Sequence, residues 1–414
     1  MPARDSFDLP IAGADTAVAT GYDRYVHEFL SYGANLRDLF AIADDAPDCA
    51  LANAHAAALQ LAFEGAEGWT NAVPYLERMR RARTWLECDR ERLFCDAVEA
   101  WAARDFHNAL AALDELTVRW PADLCAIKWA QYHAFNLGDQ AGMLRLGARA
   151  MTVHENQPYV HGMIAFALEQ NHRLGEAEEE GMKAVEIAID DAWAHHAVAH
   201  VFETEGRAIE GARWMRRCAH TWENKGVFIR DHNWWHIGLF HLGLDEPEKA
   251  LNIYDERLWG AWPEFPQEQI GAASMLWRLE LHGVDVGGRW SPVVDKVRPR
   301  AGEHVFPFHD LHYLMALLRG GSERETDQFI RSLSEHAEKQ SGATRDIWLG
   351  ACMPAARAIK AFAERNYDDA ARDFAKAMPR LHSIGGSHAQ RGVFVETNKA
   401  ALNALETGGA VARY

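Results

Sequence analysis

The sequence predicts an all-α chain built as an array of antiparallel helix pairs. Three observations carry that prediction. Ala109, Met143, Ala177 and Gly211 recur at steps of 34 residues, each a few positions past a turn-like tripeptide (residues 137–139, 171–173 and 205–207 for the last three). Apolar residues follow a helical period through most of the chain, and no sustained alternation marks a sheet. No low-complexity linker interrupts the pattern, so the array is expected to pack as one body.

The elements follow in order. Residues 23–83 are helical by period but match the repeat poorly. Residues 97–121 read as two short helices with a turn at Arg104-Asp105, and Ala97, Trp101, Ala109, Leu113 and Pro121 fall at the intervals of a tetratricopeptide unit. A further unit carries Trp234, Gly238, Ala250 and Tyr254, and a late one carries Ala358, Tyr367, Ala370 and Phe374. Small residues let paired helices approach, and large ones fill the space between units. Residues 259–307 are the least regular, with several prolines and the Gly-rich run 283–288, and are expected to contain loops. Three regions result: an N-terminal helical cap (1–90), tetratricopeptide-like repeats (91–258) and a C-terminal helical region with one more repeat-like unit (259–414). The expected architecture is an α-solenoid or superhelix closing around a central pocket.

Composition excludes several functions. Lys and Arg total 43 against 60 Asp and Glu, a net charge of −17. Nucleic acid and anionic membrane attract cationic surfaces, so neither is an expected partner. No apolar run is long enough to span a bilayer, and residues 1–20, with Asp5, Asp8 and Asp15, do not read as a secretory signal. Cysteines 49, 88, 95, 125, 218 and 352 form no CxxC pair and read as reduced core thiols of a cytoplasmic protein.

The chemistry is expected on the helix opening at Asp191. At about 100° per residue, Trp193, His196, His200 and Glu203 share an arc of about 80°, while Val198, Val201 and Phe202 lie opposite. In the next unit His232, Trp235 and His236 share one arc, and Trp234, Ile237 and Phe240 the other. A solvated face would carry Lys, Glu, Gln and Arg; aromatic and imidazole groups point to a semi-buried groove. With 21 histidines in 414 residues, about one i,i+4 pair is expected by chance. The two found gain meaning because both sit on first helices of neighbouring units, off the packing face.

Tetratricopeptide repeats line their concave surface from the first helices. Carried onto this chain, the resemblance implies a groove formed by Cys125, Lys128, Tyr132 and Phe135, then Tyr159, Gly162, Phe166 and Glu169, then Trp193, His196, His200 and Glu203, then His232, Trp235 and His236. Lys128 stands alone there, which argues against a peptide carboxylate clamp. The segments DAWAHHAVAH (191–200), HNWWH (232–236), ALNIYD (250–255), SMLWRLELHGVDVGGRW (274–290), FHDLHYLMA (308–316) and GGSHAQRGVF (385–394) resemble, in the same order, the tetratricopeptide repeat protein 38 family. The family's pattern includes His55, His196, His200, His232, His236, His312, Asp310, Gln390 and Arg391; His195 and His309 fall outside it. The resemblance implies a fold more than an activity.

Three readings of the histidine face stay open. In the first, His196, His200, His232, His236 and His312 are acid–base groups oriented by Glu203 and Asp310, and Lys128 and Arg391 hold an anionic substrate group. Tyr132, Phe166, Glu169, Trp193, Trp235 and Gln390 complete the substrate-binding set. This describes a hydrolase- or lyase-like small-molecule enzyme with no required cofactor. In the second, three imidazoles and Glu203 or Asp310 hold a divalent metal, because histidines at i,i+4 reach one ion from one helical face. In the third, the imidazoles are hydrogen-bonded residues of a non-catalytic scaffold or ligand-binding module, with a protein partner or homo-oligomer open. Smaller signals weigh less. Asp310 also suits a helix cap, His55 lies in an Ala-rich helix and reads as packed, and Ser387 lacks a GxSxG setting. No phosphate-cradling glycine motif occurs.

Overall fold

The computed structural model describes residues 3–407 of the chain. These form helices joined by short turns, plus one antiparallel pair of two-residue strands, Ala3–Arg4 with Pro10–Ile11. The helices make an all-α, tetratricopeptide-like array of repeated hairpins with no closed sheet among the described residues. Two compact units divide it: the first holds the chain to Val201 with Trp214–Arg230, the second Phe202–Arg213 with the chain from Asp231 onward. The helices Ala192–Thr204, Ala208–Trp222 and Val227–Gly243 each give residues to both.

The repeat is written in the turns. Arg104 (φ 60°), Gly138 (φ 69°), His172 (φ 56°) and Gly206 (φ 71°) take left-handed backbone, and these positions are again 34 residues apart. Glycine does this without a Cβ penalty, whereas a residue with a Cβ gives up roughly 1–2 kcal/mol. Asp105 and Asp139 then cap the following helices, Phe106–Arg119 and Gln140–His154, by accepting from Asn108 N and Gly142 N. The marker residues Ala109, Met143 and Ala177 are buried on their second helices. Trp101, fully buried, wedges edge-on against Trp129 and His133 on the helix Leu124–Asn136.

Arg90 fastens the N-terminal segment to the array. It is buried, pairs with Asp123 at 3.1 Å, and donates to Pro10 O at 2.6 Å. Neighbouring Glu91 accepts from Ala12 N at 2.9 Å.

The second unit contains the hairpins Pro307–Gly320 with Glu323–Lys339 and Met353–Ala363 with Tyr367–Ala377, closed by the helix His388–Glu406. The stretch expected to be loop-rich, 259–307, also holds the helices Pro266–Leu281 and Trp290–Val297. Its proline at 266 sits in the first helical turn, where the missing N–H costs nothing, so it starts a helix rather than breaking one. Wide π turns at Tyr254–Leu258 and Trp348–Cys352 lie next to α-helical segments. No helix among the described residues is long and apolar enough to cross a membrane. All six cysteines are free thiols.

Packing predicts how the marker at 211 behaves. A Cβ there would lie 2.2 Å from the ring of Phe240, itself buried. Gly211→Ala gains about 1 kcal/mol of helix propensity but meets an overpacking cost of roughly 1–3 kcal/mol. The expected outcome is a lower melting temperature, restored by the double variant Gly211→Ala/Phe240→Leu. A single variant melting above the parent would contradict the close approach.

Candidate functional site

The helix Ala192–Thr204 opens at Asp191, which accepts from the backbone N–H of Trp193 and Ala194 at 3.1 and 2.9 Å. That cap fixes the register that sets the Trp, His, His and Glu side chains on one stripe. Trp193 stacks on His196 with ring centroids 4.4 Å apart and on Tyr32 at 5.1 Å. Phe166, from the helix Val160–Gln170, meets Trp193 at 4.7 Å and His196 at 5.2 Å. The Nε2 atoms of His196 and His200 are 3.0 Å apart, so one donates to the other. Glu169 Oε2 lies 3.7 Å from His200 Nδ1, and both residues are fully buried. A carboxylate on that side favours the Nδ1–H tautomer and puts the His200 lone pair on Nε2.

Glu203, on the same stripe, accepts from His236 Nδ1 at 3.2 Å. On the helix Val227–Gly243, His232 stacks on Trp235 at 5.3 Å and stands edge-on to His236 at 5.0 Å. His196, His200, His232 and His236 form one group: each offers a ring nitrogen, and these nitrogens all lie within 4.8 Å of one another. Burial holds His232 and His236 neutral. It pushes His236 down to about 3, helped by the nearby Arg278 charge, and His232 well below its usual range. Neutral imidazole is the form that ligates a metal; a base that weak is poorly matched to proton abstraction near neutral pH.

The remaining candidates are placed as follows. Lys128 is buried, with Nζ donating to Phe29 O and, at 3.2 Å, to Leu30 O, and it sits over the Tyr32 ring. Tyr132 donates to Glu64 at 2.6 Å. Trp235 is buried beneath the Arg278 guanidinium. His312 donates from Nδ1 to Phe308 O at 2.8 Å, and burial pushes it down to about 3. Asp310 accepts from His304 Nδ1 at 2.8 Å, and burial raises its carboxyl. Phe306, not Asp310, is the N-cap of its helix. Gln390 closes a capping box with Ser387, and Arg391 donates to Gly385 O and Gly386 O. His55 is a core residue, hydrogen-bonded to Tyr22 and Tyr25 at 3.0 Å each and stacked on Phe94.

Two residues escape the sequence. Arg278 touches Ser274, Ala389 O and Glu396 while its charge reaches His236 and His312. Its only signal was its place inside one quoted motif. His304, the partner of Asp310, gave no signal.

No protein-family model matches the chain. A solved human IFIT1 dimer with m7Gppp-AAAA is similar with a TM-score of 0.39 and 13% identity, over 98% of this chain and 90% of that one. The P58(IPK) TPR domain is similar with a TM-score of 0.20 and 13% identity, over 78% of this chain and 99% of that one. Scores this low carry no argument about the site.

Lys128 supplies a pH signature. Burial lowers its ammonium from 10.5 to about 7, against the opposing pull of Asp191, itself raised to about 6. The unfolded chain therefore binds the extra proton above pH 7, and stability rises with pH across that window. Wild type is expected to gain melting temperature between about pH 7 and pH 9, and Lys128→Met to show a flatter profile. Equal slopes would place the ammonium in a better-solvated setting.

Proposed function

We propose that the chain is a relative of the tetratricopeptide repeat protein 38 family that works as a metal-assisted, hydrolase-like enzyme on a small molecule. The single observation behind this reading is the group of four imidazoles whose nitrogens lie within 4.8 Å of one another. Two nitrogens about 2.0–2.1 Å from one tetrahedral ion sit about 3.3 Å apart, close to the 3.0 Å between His196 and His200. An all-nitrogen set suits zinc or another late first-row ion better than magnesium or calcium. Carboxylates on the far ring nitrogens are the usual outer support of such ligands, and Glu203 and Glu169 occupy those places for His236 and His200.

In this reading three of the four imidazoles would hold the ion, and the ion would supply a polarised water for hydrolysis. Phe166 and Trp193, packed together beside His196, give the substrate an apolar contact. Lys128 and Arg391 already serve backbone carbonyls, so an anionic substrate must compete for them, and a neutral or weakly charged one is favoured. The acid–base reading without metal is weaker, because burial makes His232, His236 and His312 weak bases.

Metal analysis tests the proposal. The protein dialysed against zinc and then buffer is expected to keep about one equivalent, and His200→Ala or His236→Ala to lose it. Excess zinc at a hundred times Kd should stabilise wild type by about 2.7 kcal/mol and the variants hardly at all. No uptake, with a large stability loss in both variants, would make the histidines packed core groups of a scaffold.

A further inference from the structure

A second constellation lies wholly in the second unit, apart from the four imidazoles. His304 Nδ1 donates to Asp310 Oδ2 at 2.8 Å, and His304 Nε2 stands 2.8 Å from Ser332 Oγ. Asp310 and His304 are buried, while Ser332 is half-buried on the helix Glu323–Lys339. We propose that Ser332, His304 and Asp310 form a second reactive site, in which an imidazole-activated serine takes esters of small apolar acyl groups.

Geometry assigns the roles. A carboxylate on Nδ1 fixes the proton there and leaves Nε2 as the acceptor for the serine proton, the relation that defines such triads on unrelated folds. Ser332 is the nucleophile, His304 its base, and Asp310 a positioning residue acting through His304. His304 is held in left-handed backbone (φ 43°), a strained conformation that non-glycine residues adopt mainly where the surroundings enforce it. The ring is further fixed among Phe329, His336 and Trp348, with centroids at 5.8, 5.0 and 6.4 Å. Those aromatic neighbours make an apolar acyl group the suitable guest. The other polar group beside them, His336, is engaged by Gln340 at 3.0 Å.

The chemistry closes. Ser332 Oγ attacks the ester carbonyl carbon as its proton passes to His304 Nε2. The bond to the leaving alcohol breaks, and the alcohol takes that proton. Water then adds to the acyl-serine, giving a proton to Nε2; the acid departs and Ser332 regains its proton.

A fluorophosphonate probe on the full chain tests this, since attack on phosphorus expels fluoride and leaves a stable serine adduct. The expected result is a single adduct mapped to Ser332, absent in Ser332→Ala and retained in Ser334→Ala. His304→Gln should slow labelling at least about 100-fold. Asp310→Asn should move the midpoint of the labelling pH profile downward, which a purely structural carboxylate would not do. Chelator should leave labelling unchanged, so this result and the fate of the metal proposal are read separately. No adduct on wild type, an adduct elsewhere, or unchanged labelling in a folded His304→Gln protein would overturn the proposal.

Discussion

Everything in this structure turns on the burial of imidazole. A neutral ring in a low-dielectric interior still carries a donor and an acceptor, and leaving them unmet costs about 1–3 kcal/mol each. The chain answers by stacking rings on one another and aiming carboxylates at their outer nitrogens. Glu169 stands by His200, Glu203 by His236 and Asp310 by His304. A scaffold of simple helix pairs needs none of this; apolar residues would fill the same positions at no polar cost.

Both faces of the helix Ala192–Thr204 are consequently occupied. Val198, Val201 and Phe202 pack on one side, while His196 and His200, equally buried, carry the polar stripe on the other. His195 packs separately against Trp214 and Trp222. The Asp191 cap and the left-handed turn at Gly206 bracket this helix, so its start and end are set by local chemistry.

The repeat was legible because its signals are local. Ala109, Met143, Ala177 and Gly211 mark second helices by size alone, and turns 34 residues apart follow from the same period. Helical arcs put Trp193 with His196 and His200 correctly, since that needs only the helix itself. Long-range partners were not legible. Tyr132 meets Glu64 from 68 positions away and Arg278 reaches Glu396 from 118, while Asp310 and His304, six apart, meet through irregular backbone at 304–306. No periodicity encodes such pairings. The irregular stretch 259–307 misled for a different reason: proline in a first helical turn and proline in a loop look alike in sequence.

The two constellations use histidine in opposite ways. In the group of four, Glu169 and Glu203 stand on the outer nitrogens of His200 and His236, which leaves their Nε2 atoms as acceptors, the form that suits a cation. At His304 the inner nitrogen faces a hydroxyl, which suits proton transfer. The most direct test of the central claim is the X-ray absorption spectrum of the protein loaded with one equivalent of zinc. The account predicts a first shell of nitrogen neighbours at about 2.0–2.1 Å with the outer-shell pattern of several imidazoles. A shell of water oxygens alone, or of cysteine sulfur at about 2.3 Å, would contradict it.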